Sequence, residues 1–519
     1  MIRKLKISLA PKLFSKKGNV QYLLAMIVFC TAVISGILLF INNNLSLIYF
    51  GDAVSHIVRA RQFIDSQQPG LMNIGTVWLP LPQLLLVPFV AFDTLFYSGI
   101  AGATIGIPLL TLTAVLIFSI IWILTNSRQI AFIVSLLFGL NPNIVYIALT
   151  PMSEISLIFF VTLGGYGLVK WIRSDYVGWL FLCTGAVFCA TLCRYEAWLL
   201  APFISVIALH RGRVLQKQGM RFSIFTSAAI AGIAWCGIAF WLCWNYLQYS
   251  DALKFAHWTY SVGTSTARSA LSTHPADLYS IAGNALLWIF GPMMLGAGVL
   301  ITLSMKRLSV RKEQVLLLLY FSLPAIFILS AILGGFVQVD QWWWNWRFVL
   351  SFGLFLSLAS ALALQELFQK WQMPFLHHIV VACFVVMPVV QIAVPSVGVA
   401  VYKDAEKSFS DLSRSATILG QEMQKRYHGG SIALLTGYGA GQRVMISSGL
   451  PLKSFNVKYF TDDSTISITD RYIIIGKDRR TGSLEFSQYW TVNKTSLLLS
   501  YELRELNDNF VLLERKTRL

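Results

Sequence analysis

Asp52, His56 and Arg59 stand at i, i+4 and i+7 within residues 51–61, which follow the first long apolar run. On a helix this spacing gathers Asp52, Ser55, His56, Arg59 and Phe63 on one side, and Val54, Ile57, Val58 and Ile64 on the other. Such an amphipathic helix is expected to lie at a membrane surface, with a carboxylate, an imidazole and a guanidinium facing the same space. A carboxylate can take a proton from an attacking hydroxyl or amine. A guanidinium can hold a phosphate that leaves. Arg61 falls on the apolar side, from which it can snorkel toward a lipid phosphate. The plain alternatives are a connecting helix with a solvated face and, for Arg61, an ordinary interfacial anchor.

Further chemistry-bearing residues recur at the ends of apolar runs. Glu154 follows Pro151-Met152-Ser153. A Ser153 N-cap and the positive end of a helix would account for it without any function. Arg194-Tyr195-Glu196 forms a turn between two short apolar runs, where a buried ion pair is as good a reading as substrate contact. Residues 248–280 carry Asp251, Lys254, His257, Trp258, Tyr260, Arg268 and His274. Gln341-Trp342-Trp343-Trp344-Asn345-Trp346-Arg347-Phe348 reads as an aromatic belt. It reads equally as aromatic faces for a sugar or prenyl chain, with Asn345 and Arg347 beside a phosphate.

The elements that must position these residues are spans. The 519 residues are 56% hydrophobic and 13% charged, with mean hydropathy +0.64, against roughly 25% charge in soluble domains. Apolar runs near 22–42, 95–124, 129–148, 154–171, 178–193, 196–209, 224–247, 281–304, 314–334, 347–367 and 377–397 predict about eleven crossings. Pro80, Pro82 and Pro88 break the apolar stretch 78–92, which predicts interfacial or re-entrant backbone. With a cytoplasmic N-terminus, eighteen Lys and Arg fall inside and six outside up to the last run, as the positive-inside rule requires. Eight carboxylates fall outside against three inside. Carboxylates contribute little to topology, so their clustering suggests an outer-face site.

The fold class is therefore an α-helical multi-span membrane protein with outer-face interfacial helices. Its membrane domain covers 1–400 and includes a first outer loop over 43–94. Residues 401–519 are polar and predict a small extracytoplasmic α/β domain. Helix is expected at 405–427, strands near 431–435 and 472–476, and a hairpin of 497–503 with 510–515. The net charge of +17 follows from basic inner loops, so nucleic acid is not an expected partner. The seven cysteines lack metal-site spacing. Gly437-Tyr438-Gly439-Ala440-Gly441 lacks the full spacing of a nucleotide loop.

Gly51-Asp52-Ala53-Val54-Ser55-His56, then Ala60-Arg61, Pro69-Gly70-Leu71 and Gly75-Thr76-Val77-Trp78-Leu79-Pro80-Leu81-Pro82, resemble the first outer loop of family 39 membrane glycosyltransferases. These belong to the C-type superfamily, with protein O-mannosyltransferases and lipid A aminoarabinose transferases. The resemblance is dense over 51–82 and looser over the span pattern. It implies an inverting transferase that takes a sugar from a polyprenyl phosphate on the outer face of the cell membrane. The acceptor would be a membrane lipid, a glycan or a protein. By resemblance Asp52 is the catalytic base. His56, Arg59, Arg61, Trp78, Glu154, Arg194, Glu196, His257, Asn345 and Arg347 are then the candidate substrate-binding residues. Gln83 stands where close relatives are expected to carry His, and Phe348 where they carry Tyr. No Asp-x-Asp motif adjoins Asp52, so no cofactor is indicated, with a divalent metal left open. The rival reading is a polytopic transporter or lipid flippase, which would tend to show inverted repeats and charges in mid-span.

Overall fold

The computed structural model describes residues 19–75, 77–217, 224–257, 275–291, 293–294, 298, 311–333, 345–371, 399–436, 438–457, 469–477, 484–506 and 508–516. The expected span over 377–397 and part of that over 281–304 lie outside them. So do Trp258, Tyr260, Arg268, His274 and Trp342 to Trp344.

Helices follow one another as α1 (Asn19–Asn42), α2 (Gly51–Gln62), α3 (Leu81–Val90), α4 (Asp93–Tyr97), α5 (Ala101–Thr125), α6 (Arg128–Gly139), α7 (Pro142–Leu149), α8 (Glu154–Ser174) and α9 (Val177–Thr191). They continue as α10 (Leu200–Lys217), α11 (Ile224–Tyr249), α12 (Pro275–Phe290), α13 (Lys312–Leu333), α14 (Phe352–Trp371), α15 (Ala400–Ser408), α16 (Asp411–Arg426), α17 (Tyr438–Ser447) and α18 (Leu484–Ser500). Among the described residues six helices are long and apolar enough to cross a bilayer, or seven if α6 and α7, bent by 56°, form one span. The expected run at 129–148 is that bent pair. Its break has a local cause: Asn141 caps α7 by accepting from the backbone N–H groups of Asn143 and Ile144, and Pro142 starts the new helix.

α1 shows the membrane logic. It buries only the i, i+4 ridge Val20, Leu24, Val28 and Ala32, which faces α5 and α6. Tyr22, Leu38 and Ile41 stay largely exposed, as expected of side chains facing lipid tails. Elsewhere the spans approach closely. A Cβ on Gly106 of α5 would lie 1.9 Å from the Ala148 carbonyl oxygen of α7, so only glycine fits there.

The C-terminal part is a small α/β domain. Strands β1 (Ile432–Leu435), β2 (Phe455–Val457), β3 (Tyr472–Gly476), β4 (Tyr501–Leu506) and β5 (Phe510–Arg515) form one sheet in the order β2-β1-β3-β5-β4. β1 pairs parallel with β2 and β3, while β5 runs antiparallel to β3 and β4. Alternation sorts the side chains. Ala433, Leu435, Ile473, Ile475, Val511 and Leu513 pack under Trp490 and Leu497 of α18. Ile432, Leu434, Ile474 and Leu512 face the other way, toward α16 and α17.

Three expectations change here. The helix expected at 405–427 is two, α15 and α16, broken at Phe409-Ser410. The hairpin's first strand starts at Tyr501, because residues 497–500 close α18. α2 does not lie with an apolar face against a membrane surface. Val54, Ile57 and Val58 are completely buried in a cluster shared with Val444, Met445 and Leu452 of the C-terminal domain. Burial of this kind contributes about 1.5–3 kcal/mol per side chain. A helix with one polar and one apolar face reads the same from sequence whether lipid or a folded domain covers the apolar side.

Candidate functional site

Asp52 lies in the first turn of α2, where a carboxylate suits the positive helix end. The chain enters that helix from Phe50 in extended conformation. Arg347 reaches Asp52 from the 3-10 turn Trp346–Ser351 that leads into α14. Its Nη2 donates to Asp52 Oδ2 at 2.6 Å. The same guanidinium lies 3.4 Å from Glu154 Oε1 and 3.5 Å from Asp404 Oδ2. It also donates to Asn345 Oδ1 at 3.0 Å. The rings of Phe50 and Phe348 flank it at 4.8 and 4.7 Å.

A second arginine extends the network. Arg194 Nη1 donates to Glu154 Oε1 at 3.1 Å and to the Ser153 hydroxyl at 3.0 Å, and its Nε donates to Glu196 Oε1 at 2.5 Å. Phe348 lies between the two guanidinium groups, 4.9 Å from that of Arg194. Ser153 is the N-cap residue of α8, yet it makes no side-chain cap. Its hydroxyl serves Arg194 instead, so the capping explanation of Ser153 does not hold, while Glu154 sits in the first turn of the helix, as its plain reading required, and also pairs with Arg194.

The cluster thus alternates Asp52, Arg347, Glu154, Arg194 and Glu196, with Asp404 closing it from α15. Exposure separates these acids. The side chains of Glu154, Glu196 and Asp404 are 4%, 4% and 0% exposed, whereas that of Asp52 is 39% exposed. One carboxylate in the cluster is open to a reactant, and three hold the arginines in place. Among the described residues no group of three His, Cys, Asp or Glu side chains is arranged to hold a metal ion.

His56 occupies the same face of α2, one turn on. It is buried, and burial above all, with Arg194, Arg59 and Arg347 adding to it and Asp52 opposing, lowers its pKa to about 4. The imidazole is neutral at physiological pH. Gln83 takes the place expected for a His and fixes the tautomer. With its amide nitrogen donating to the carbonyls of Leu79 and Pro80, its oxygen accepts from His56 Nδ1 at 2.8 Å. His56 Nε2 is then the acceptor nitrogen. The Trp78 ring sits 5.4 Å from the imidazole and 5.3 Å from the Arg59 guanidinium.

Arg59 binds the chain itself: Nη1 donates to the carbonyls of Asn73 and Ile74. Gly75 permits this contact. Its φ is +77°, and a Cβ there would lie 1.9 Å from Arg59 Nη1. Gly75→Ala is expected to displace Arg59 and the loop that carries Trp78. The protein should then lose about 1–3 kcal/mol of stability, which a melting curve beside that of the parent protein would check.

Arg61 lies nine residues from Asp52, on the opposite side of the helix. It pairs with Asp65 at 3.2 Å and Asp93 at 2.6 Å and donates to the carbonyls of Val90 and Ala91. It clamps α2 to the end of α3 rather than reaching for a lipid phosphate. His257 pairs with Asp251 at 2.7 Å on an exposed segment. The structure therefore gathers Asp52, Glu154, Arg194, Glu196, Asn345 and Arg347, keeps His56, Arg59 and Trp78 on the adjoining face, and commits Arg61 and His257 elsewhere.

Asp404 was missed. The available signal was position: it is the first carboxylate after the last apolar run, as Asp52 is after the first. Its Oδ2 accepts from the Asn345 backbone N–H at 3.0 Å, with Asn345 in the left-handed region at φ +61°. Burial raises the Asp404 pKa to about 6, against the opposing pull of Arg347 and the Asn345 N–H. The folded state then keeps a proton that the unfolded chain gives up near pH 4. This contribution to stability is full below about pH 4 and is lost as pH rises to about 6. Asp404→Asn is expected to flatten the dependence of Tm on pH between 4 and 6.

No protein-family model and no curated protein matches the sequence. Solved structures do match, and they show the fold: the chain shares a multi-span helical architecture with a small C-terminal sheet domain with solved membrane enzymes. ArnT from Cupriavidus metallidurans, solved bound to undecaprenyl phosphate, superimposes with a TM-score of 0.53 at 12% identity, over 95% of this chain and 97% of that one. Its apo form gives 0.52. The Archaeoglobus fulgidus oligosaccharyltransferase gives 0.47 at 12% identity over 83% of this chain. The present chain covers 64% of that enzyme's length.

Proposed function

We propose that this protein is an inverting glycosyltransferase that moves a sugar from a polyprenyl phosphate to an acceptor at the outer face of the cell membrane. The observation that carries this reading is Asp52, the one open carboxylate among the described residues of the cluster, held 2.6 Å from a buried arginine. An acceptor hydroxyl or amine attacks the anomeric carbon and gives its proton to Asp52. The bond from that carbon to the phosphate oxygen breaks, and the phosphate leaves with the electron pair. Arg347 exchanges its contact with Asp52 for one with the phosphate, which frees the carboxylate as charge develops on the leaving group. One reachable carboxylate suits a single displacement. Retention by double displacement needs a second one as nucleophile, and Glu154, Glu196 and Asp404 are buried. Trp78, half-buried, offers the sugar an apolar face, with the buried, neutral His56 packed beside its ring.

The donor class is supported by the fold shared with ArnT, whose structure holds undecaprenyl phosphate. A polyprenyl tail also explains why the site lies at the ends of spans. For orientation, the first loop after α1 and the C-terminal domain pack against each other. If α1 crosses once, the total number of crossings is odd. With the basic residues inside, both the loop and the domain lie outside the cytoplasm.

The test uses the purified protein in nanodiscs with undecaprenyl phosphate carrying radiolabelled mannose, glucose or arabinose. Envelope from a strain deleted for the gene supplies the acceptor. Transfer of label with release of undecaprenyl phosphate, and a product of inverted anomeric configuration by NMR, is the expected result. A retained configuration would overturn the single displacement, and no transfer from any lipid-linked sugar would overturn the assignment.

A further inference from the structure

The C-terminal domain touches the helix that carries Asp52 at more than its apolar side. Arg443 of α17 is 2% exposed and faces the chain just before that helix. Its Nη2 donates to the carbonyl oxygens of Ile48 and Tyr49 at 2.7 and 3.1 Å. Those carbonyls end the 3-10 turn Ser46–Ile48, three and four residues before Asp52. The Phe409 ring lies 4.9 Å from the guanidinium and stacks on Tyr49 at the same separation. The preceding residue, Gln442, accepts through Oε1 from the hydroxyl of Ser55, one turn beyond Asp52. α17 therefore holds the chain on both sides of the carboxylate.

A buried guanidinium is an expensive way to attach a domain. Arg443 has no carboxylate among its described partners, its Nη1 is buried without a hydrogen bond, and burial lowers its pKa to about 10. Val54, Ile57 and Val58 already supply apolar adhesion across the same interface. Unlike adhesion, bonds to two successive carbonyls fix the direction in which the chain enters α2. The opposite partner is anchored from the same part of the chain, because Asp404 holds Asn345 and Arg347.

We propose that Arg443, assisted by Gln442, is a positioning residue for Asp52, so that the C-terminal domain is a working wall of the transferase site. It acts through α2, without touching the reactants. This inference rests on the reading of Asp52 as the base.

The test is Arg443→Met, which keeps the side chain's bulk and removes both carbonyl bonds, alongside Arg443→Lys, which can still reach one. Both are assayed in nanodiscs with whichever of the three labelled undecaprenyl phosphate sugars supports transfer. Expected for Arg443→Met are a fall in kcat of about 30-fold, a KM for the donor within twofold of the parent and a retained melting transition. Arg443→Lys should recover at least a third of the lost rate. Placed on Asp52→Asn, the Met substitution should cost nothing further, since residues acting as one unit are not additive. Full kcat in a folded Arg443→Met protein, or a multiplicative loss in the double variant, overturns the proposal. Should Arg443→Met not fold, Gln442→Leu decides, with a kcat fall of about fivefold expected and an unchanged kcat overturning. An Asp52→Asn protein at full rate would sink the base and this inference together. An inactive Asp52→Asn with a fully active Arg443→Met would sink this inference alone.

Discussion

Asp52→Asn is expected to lower turnover about a thousandfold while the protein stays folded and still binds undecaprenyl phosphate. A positioned general base supplies roughly 10²–10⁴ in rate, and the amide keeps the shape of the carboxylate without its basicity. Folding should survive because the side chain is 39% exposed, and partly exposed ion pairs contribute about 0–1 kcal/mol. Arg347 would keep Glu154 and Asp404. Donor affinity should hold or rise, since the guanidinium no longer divides itself between Asp52 and a phosphate. Turnover of this variant at the parental rate would place the base elsewhere.

Arg347 is expected to be the residue least tolerant of change. Arg347→Ala leaves Glu154 and Asp404 as buried charges without their shared partner, a loss of about 3–5 kcal/mol, and should not yield a stable protein. Arg347→Lys is the informative variant. It keeps the charge but cannot present a fork to Asp52, Glu154 and Asp404 at once. Such a protein should remain folded with a lower Tm, bind undecaprenyl phosphate at least tenfold more weakly, and lose about a hundredfold or more in kcat. Binding of undecaprenyl phosphate unaltered by Arg347→Lys would remove the arginine from the phosphate's surroundings.

Much of this was legible in the sequence where one helix carried the information. The i, i+4, i+7 spacing placed Asp52, His56 and Arg59 together, and the turn Arg194-Tyr195-Glu196 was readable as an ion pair because its partners are two residues apart. What crosses the fold was not legible. Asp404 meets Arg347 from 57 positions away, and nothing in either local pattern points to the other. Arg61 misled because a cation on an apolar face reads as a lipid anchor, whereas Asp65, Asp93 and two carbonyls consume it. The spans were clear as apolar runs, but the bend between α6 and α7 needed the capping geometry of Asn141. The 3-10 turn that presents Arg347 was hidden behind a run of tryptophans.

The bond between Ser55 and Gln442 joins residues 387 positions apart. Ribosomes add about 5–20 residues per second, so the two ends of this contact emerge roughly 20–80 s apart. A nascent chain that has already threaded its early segments through the bilayer would still hold its reactive carboxyl in an unfinished setting. Competence would then arrive late and all at once.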